Sequence, residues 1–179
     1  RELLYTMGDT PNVAGAAWCA RTIDLMGLLQ RGEVDAGFIG GAEIDRFGNL
    51  NTSAIGPDRA RPAVQLPGSG GGADIACLAG RLIVIMPHDR RRLREKVDFV
   101  TSPGYGTGGD WRRRVGLPRG GPSVLITTLG VFRFRDGEAV LDSYHPGASV
   151  ERCAAETGWP LRVADGVSET EPPSDEALR

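Results

Sequence analysis

The spacing of apolar positions changes along the chain, and each change marks a new element. Ala16, Ala17, Ala20, Ile23, Leu25, Met26 and Leu29 recur at helical spacing and predict a helix. Gly32 stops it directly after Arg31, a cation suited to the negative end of a helix. Val34 to Gly40 is a short, mostly apolar run between Gly32 and Gly41, which predicts a buried strand. A loop follows, with turn chemistry at Gly48 and Asn49 and side chains able to cap backbone at Asn51, Thr52 and Ser53. Val64 to Leu66 reads as extended chain. It leads through Pro67 and the glycines at 68, 70, 71 and 72 into a helix carrying Ile75, Ala76, Leu78 and Ala79.

Arg81 to Pro87, RLIVIMP, is the clearest strand, a continuous β-branched run of the kind that parallel sheets bury on both faces. The charges from Arg90 to Lys96 read as a solvated face, and VDFVTS after them as another strand. A long stretch rich in Gly, Pro and Arg, from Thr101 to Ser123, has no periodicity and is a loop of the kind that often carries function. Two alternating runs then flank Asp136-Gly137, a hairpin signal. Ser149 caps a helix with Glu151 in its first turn, and a short strand and a polar tail, expected to be partly disordered, close the chain. Strands alternating with helices predict an α/β fold: an open, mostly parallel sheet flanked by helices, with a C-terminal antiparallel hairpin.

The 179 residues suffice for one domain, 1–179, and no linker or repeat divides them. A net charge of -2, with 21 basic against 23 acidic residues, lacks the one-sided basic excess of a nucleic-acid binder. No apolar run is long enough to predict a membrane span. Cys19, Cys77 and Cys153 are odd in number, far apart and without a C-x-x-C pair, so they predict neither a disulfide framework nor a metal site. They suggest reduced thiols in the cytoplasm, with Cys19 and Cys77 buried on helix faces. The 26 glycines are about twice the ordinary usage, and they gather at the ends of apolar runs.

Two segments carry candidate chemistry. In LPGSGGGADIA, Leu66 to Ala76, a strand, a glycine loop and a helix bring bare backbone N–H groups together, an arrangement suited to an oxyanion or a phosphate. The same loop can equally be a tight turn that lets the helix pack. In GGAEIDRFGNLNTSAIG, Gly40 to Gly56, Asp45, Asn49 and Asn51 gather at the end of a predicted strand, where open α/β sheets place ligands; turn capping is the plainer role. His88 and His145 sit at a strand end and in a turn, with no partner in sequence that suggests catalysis. Arg112, Arg113 and Arg114 suit either anionic groups or a solvated loop.

These two segments, followed by KVDFVTSPGYG and SVLITTLGVFRF, closely resemble the B-type subunits of class I coenzyme A transferases, particularly the glutaconate CoA-transferase type. The resemblance covers nearly the whole chain. It implies the open α/β fold shared with sugar-phosphate isomerases, an A-type partner, an active site at their junction, and a CoA thioester as substrate with no permanently bound cofactor or metal. It implies that Gly70 and Gly71 hold the thioester carbonyl, that Gly68, Ser69 and Gly72 contribute to binding, and that Asn49 and Asn51 lie at the substrate.

The family's nucleophilic glutamate precedes a G-D-x-P stretch, here Gly8 to Pro11. It is therefore expected upstream of Arg1, on an N-terminal segment that the domain lacks. Glu43 stands where the family commonly has glutamine, which implies a polar structural role. The activity implied is transfer of CoA between an acyl-CoA and a small carboxylic acid. The alternatives are hydrolysis or decarboxylation of a CoA ester on the same fold, or ligand binding without turnover.

Overall fold

The computed structural model describes residues 14–117 and 119–178. In chain order these form α1 (Thr22–Arg31), β1 (Ala36–Ile39), β2 (Glu43–Ile44), β3 (Leu50–Asn51), β4 (Ala54–Ile55), β5 (Val64–Gln65) and α2 (Gly72–Leu78). There follow β6 (Arg81–Met86), α3 (Trp111–Arg114), β7 (Pro122–Thr127), β8 (Gly130–Arg135), β9 (Glu138–Tyr144), α4 (Val150–Ala155) and β10 (Arg162–Glu169). The G-D-x-P stretch lies outside the described residues.

Six strands make the main sheet in the order β1-β6-β7-β8-β9-β10. β1, β6 and β7 run parallel, β8 is antiparallel to both neighbours, and β10 lies parallel to β9. The sheet is thus mostly parallel with an antiparallel hairpin, flanked by helices as the sequence predicts. The β8–β9 turn holds Asp136 at φ 54° and Gly137 at φ 77°. Positive φ at both positions suits a two-residue hairpin, whose twist matches that of the strands. Two short antiparallel pairs, β2 with β3 and β4 with β5, sit beside the sheet.

The core lies on the sheet face carrying Leu82, Val84, Met86, Leu125 and Phe132, packed against Ile44, Leu50, Ala76 and Leu93. α2 reaches β1 closely because position 37 is glycine; a Cβ there would collide with Ile75. The opposite face departs from the expectation of strands buried on both sides. Phe38 and Ile85 are 62% and 52% exposed, because the described elements cover one face at these strands.

Three further expectations need correction. The first helix begins at Thr22 and not near Ala16, because Arg21 caps it, with its backbone N–H on Asp24 at 3.1 Å, and residues 16–20 are exposed with nothing to pack on. Cys19 is accordingly exposed. VDFVTS forms no strand; a single bridge links Leu50 to Ser102, and Thr101 and Ser102 both donate backbone N–H to the Leu50 carbonyl.

Candidate functional site

The glycine loop and the Gly40–Ala42 turn meet at the C-terminal end of β1. A cleft of about 330 Å³ opens between them, lined by Gly40, Gly41, Ala42, Thr52, Leu66, Pro67 and Gly68. Reciprocal bonds fix its floor. The Gly68 N–H donates to the Thr52 carbonyl and the Thr52 hydroxyl to the Gly68 carbonyl, each at 2.8 Å. Thr101 anchors this pair in turn, accepting the Thr52 N–H at 2.9 Å and sharing a 2.8 Å contact with the Ser53 hydroxyl.

Beyond Gly68 the loop is open. Gly68 and Gly70 hold φ of +98° and +48°, which L side chains adopt at a cost, and the direction of a Cβ at either meets no atom within 4 Å. Among the described residues, no acceptor in the chain takes the backbone N–H of Ser69, Gly70 or Gly71. Three donors therefore stand unpaired at an exposed rim. Gly72 is different: its N–H is spent on the Ser69 carbonyl at 2.7 Å, and a Cβ would lie 3.2 Å from Ser102 Oγ. Ser102 is fully buried there, and among the described residues its hydroxyl has no partner. Its sequence setting, a serine before proline in an aperiodic run, carries no signal of that placement.

The Asx cluster has the opposite character. Asn51 is wholly buried; its amide donates to Glu43 Oε2 and the Ala54 carbonyl, each at 2.7 Å, and its oxygen accepts the N–H of Ser53 and Ala54. Asn49 donates to Asp45 Oδ2 and the Gly106 carbonyl, each at 2.8 Å, and accepts the N–H of Gly104 and Gly106. Every polar atom of both amides is used within the chain. They hold loops in place and leave no free donor for a substrate.

Glu43 is likewise spent: Oε2 accepts from Asn51 and from the Asp98 N–H at 2.9 Å, and Arg94 lies 3.8 Å from Oε1. Burial pushes the Asp45 carboxyl up. The Asn49 side chain and the N–H groups of Asn49 and Phe47, with Arg46 nearby, pull the other way.

The arginines of the long loop divide. Arg113 and Arg114 are exposed and pair with Asp110. Arg112 is buried and donates to the carbonyls of Ala76, Cys77, Pro103, Gly104 and Arg119. It ties the last turn of α2 to the long loop, and burial pulls its pKa below the usual arginine range. Both histidines are structural. His88 sits between the hydroxyls of Thr127 and Thr157 at 3.0 and 3.1 Å, and His145 between Thr170 Oγ1 and the Thr127 carbonyl. No group of His, Cys, Asp or Glu among the described residues is arranged to hold a metal, and no described helix is long and apolar enough to cross a membrane.

A family model described as "Coenzyme A transferase" matches residues 1–156. The chain belongs to the coenzyme A transferase family. It is 44% identical over 156 residues to the B-type subunit of the 3-oxoadipate CoA-transferase of Pseudomonas knackmussii, a match covering 84% of this chain and 60% of that protein. Its fold matches the crystal structure of glutaconate coenzyme A-transferase from Acidaminococcus fermentans with a TM-score of 0.81 at 32% identity. That match covers 92% of this chain and 64% of the other. The decarboxylase AibA/AibB matches with a TM-score of 0.77 at 28% identity, over 92% of this chain and 62% of the other. The chain thus spans less than two thirds of the length of these relatives.

Proposed function

We propose that this chain is the B-type half of a two-subunit CoA transferase, and that its glycine loop holds the carbonyl oxygen of an acyl-CoA thioester. The observation that carries this reading is the trio of unpaired N–H groups at Ser69, Gly70 and Gly71, beside a cleft at the end of β1. When a carboxylate attacks a thioester, negative charge develops on the carbonyl oxygen. Fixed backbone donors aimed at that charge stabilise it without reorganising, at about 3 kcal/mol for one good donor. Gly68 contributes by fixing the loop, and Gly72 by letting the chain pass close to Ser102.

The attacking carboxylate is not Glu43, whose oxygens are already engaged. We place it on a segment upstream of Arg1, where the family resemblance puts it. Asn49 and Asn51 act from behind, holding the two loops at their separation. The A-type partner completes the site, the CoA thioester enters as substrate and not as a resident cofactor, and the setting is cytoplasmic.

The similarity to the AibA/AibB decarboxylase supports a second reading, in which the same donors stabilise the carbonyl oxygen of a CoA ester as it loses carbon dioxide. One experiment separates the two. The full-length protein, co-purified with its A-type partner, is incubated with a panel of acyl-CoA esters with and without acetate, and the products are read by mass spectrometry. A new acyl-CoA formed only with acetate establishes transfer. Carbon dioxide or free CoA released without acceptor overturns it in favour of the second reading.

A further inference from the structure

Thr101 and Ser102 bear on the glycine loop at both of its ends, and they do so in different ways. At the entry, Thr101 Oγ1 accepts the Thr52 N–H at 2.9 Å, and Thr52 is bonded in turn to Gly68. At the exit, Ser102 Oγ lies against Gly72, so close that a Cβ on that residue would stand 3.2 Å from it. The dipeptide itself is fixed. The Leu50 carbonyl accepts both of its N–H groups, at 2.8 and 3.1 Å, and the Leu50 N–H donates to the Ser102 carbonyl at 2.9 Å. Leu50 belongs to the buried core, so the anchor is as rigid as the sheet beside it.

The Ser102 hydroxyl is at odds with this setting. It is buried, and among the described residues nothing bonds it. The other group packed at the same point is the Ile39 side chain, at 3.9 Å, which has no polar atom to offer. A buried hydroxyl without a partner costs stability that an alanine at the same place would not. Such orphans in a folded chain mark strain or function. Here the place is informative. Gly72 is the first residue of α2 and directly follows the backbone donors of Ser69, Gly70 and Gly71, so whatever presses on Gly72 sets where those donors lie.

We propose that Ser102 is a positioning residue for the reaction: its hydroxyl wedges against Gly72 and, with Thr101 acting at the other end, holds the donors of the glycine loop at the thioester oxygen. The proposal rests on the reading of that loop given above. Ser102 is buried and acts on the ligand only through Gly72. Thr101 acts through Thr52 and Gly68, and its hydroxyl also has partners in Thr52 and Ser53, so it serves the fold as well.

The test uses the full-length chain with its A-type partner and the acyl-CoA ester that turns over fastest in the panel above. Ser102→Ala should keep or raise the denaturant midpoint, because it removes the unpaired hydroxyl. It should nevertheless lower kcat about tenfold at unchanged KM, since donors shifted by a fraction of an ångström lose part of their effect. Gly72→Ala should also lower kcat, because its methyl would press on Ser102 Oγ. In the double variant that methyl takes the space the hydroxyl leaves, and kcat should recover to about threefold above either single variant. Thr101→Val should lose stability and kcat together, and Thr101→Ser should regain both.

A Ser102→Ala enzyme that is as fast as the wild type, that changes in KM alone, or that loses activity only in step with stability overturns the proposal. So does a double variant in which the two losses simply multiply. Gly71→Val separates this failure from failure of the loop reading. If Gly71→Val is inactive and Ser102→Ala is normal, the loop holds the carbonyl without help from Ser102. If Gly71→Val turns over normally, the loop reading falls and the proposal falls with it.

Discussion

Two polar, turn-rich segments meet at the end of β1, and they spend their hydrogen bonds in opposite ways. In the Glu43–Asn51 segment every side-chain oxygen and nitrogen of Asn49 and Asn51 has a partner in the chain, and Asn51 is wholly buried. In the glycine loop three successive N–H groups have none among the described residues, and two of the three residues are exposed. A buried polar network must be complete to be tolerable, so its members belong to the scaffold. Unpaired donors at a rim cost little while water solvates them, and they are available to a ligand. Both segments look like candidate sites in the sequence; the inventory of partners tells them apart.

The sharpest way to break that comparison is Asn51→Leu. The substitution removes a hydrogen-bond donor from Glu43 Oε2 and the acceptor for two backbone N–H groups, in a place with no access for water. Burying an under-satisfied carboxylate and orphaned amides costs about 3 kcal/mol or more, so the denaturant midpoint should fall accordingly. Activity per folded molecule should hardly change. A variant of near-normal stability that lost turnover would instead make Asn51 a substrate contact.

Gly71→Val tests the other half. Gly71 has φ of -86°, which valine tolerates, and its Cβ would meet the flexible end of Met26 at 2.9 Å and Ile75 Cδ1 at an ordinary 3.9 Å. Folding should suffer modestly, by about 1 kcal/mol. The branched side chain would stand where a ligand oxygen must approach the loop, so kcat should fall about a hundredfold, the worth of one oxyanion donor. Normal turnover in that variant would reduce the loop to a packing turn.

Much of the fold is legible in the sequence because local chemistry dictates it. Asp136-Gly137 needs positive φ at both residues, Gly32 ends α1 at φ of 82°, and the RLIVIM run has no reading but strand. What is not legible depends on partners distant in sequence. VDFVTS has strand-like residues, yet it meets the chain through one bridge at Ser102 and runs as a loop. Arg112 stands in a run of three arginines, and nothing local distinguishes it from Arg113 and Arg114; α2 and the 103–104 segment select it by offering carbonyls to its guanidinium, with Arg119 adding a fifth. The glycine loop is visible as a motif, but whether its N–H groups are free is a property of the folded chain. The saturation of Asn49 and Asn51 is hidden for the same reason.

The smallest expected effect concerns a saturated site with a titratable member. His88 is buried between Thr127 and Thr157, and burial pulls its pKa below the usual histidine value. The Cys153 carbonyl, Glu156 and Asp89 raise it in part, and Arg152 lowers it further. Folding therefore favours the neutral ring. In the unfolded chain the ring titrates at about 6.5, so its contribution to stability is complete above that pH and is lost as pH falls toward the folded value. Asp45 works in the opposite sense, since burial raises its carboxyl and its contribution grows as pH falls. The difference between wild type and His88→Gln isolates the histidine. Wild-type stability should decline relative to the variant as pH drops from 7 to 5, because the amide can bond both hydroxyls and does not titrate. Parallel stability curves over that range would mean that the folded site accepts the imidazolium, with both ring protons received by the Thr127 and Thr157 hydroxyls, which donate to the Gly130 and Cys153 carbonyls.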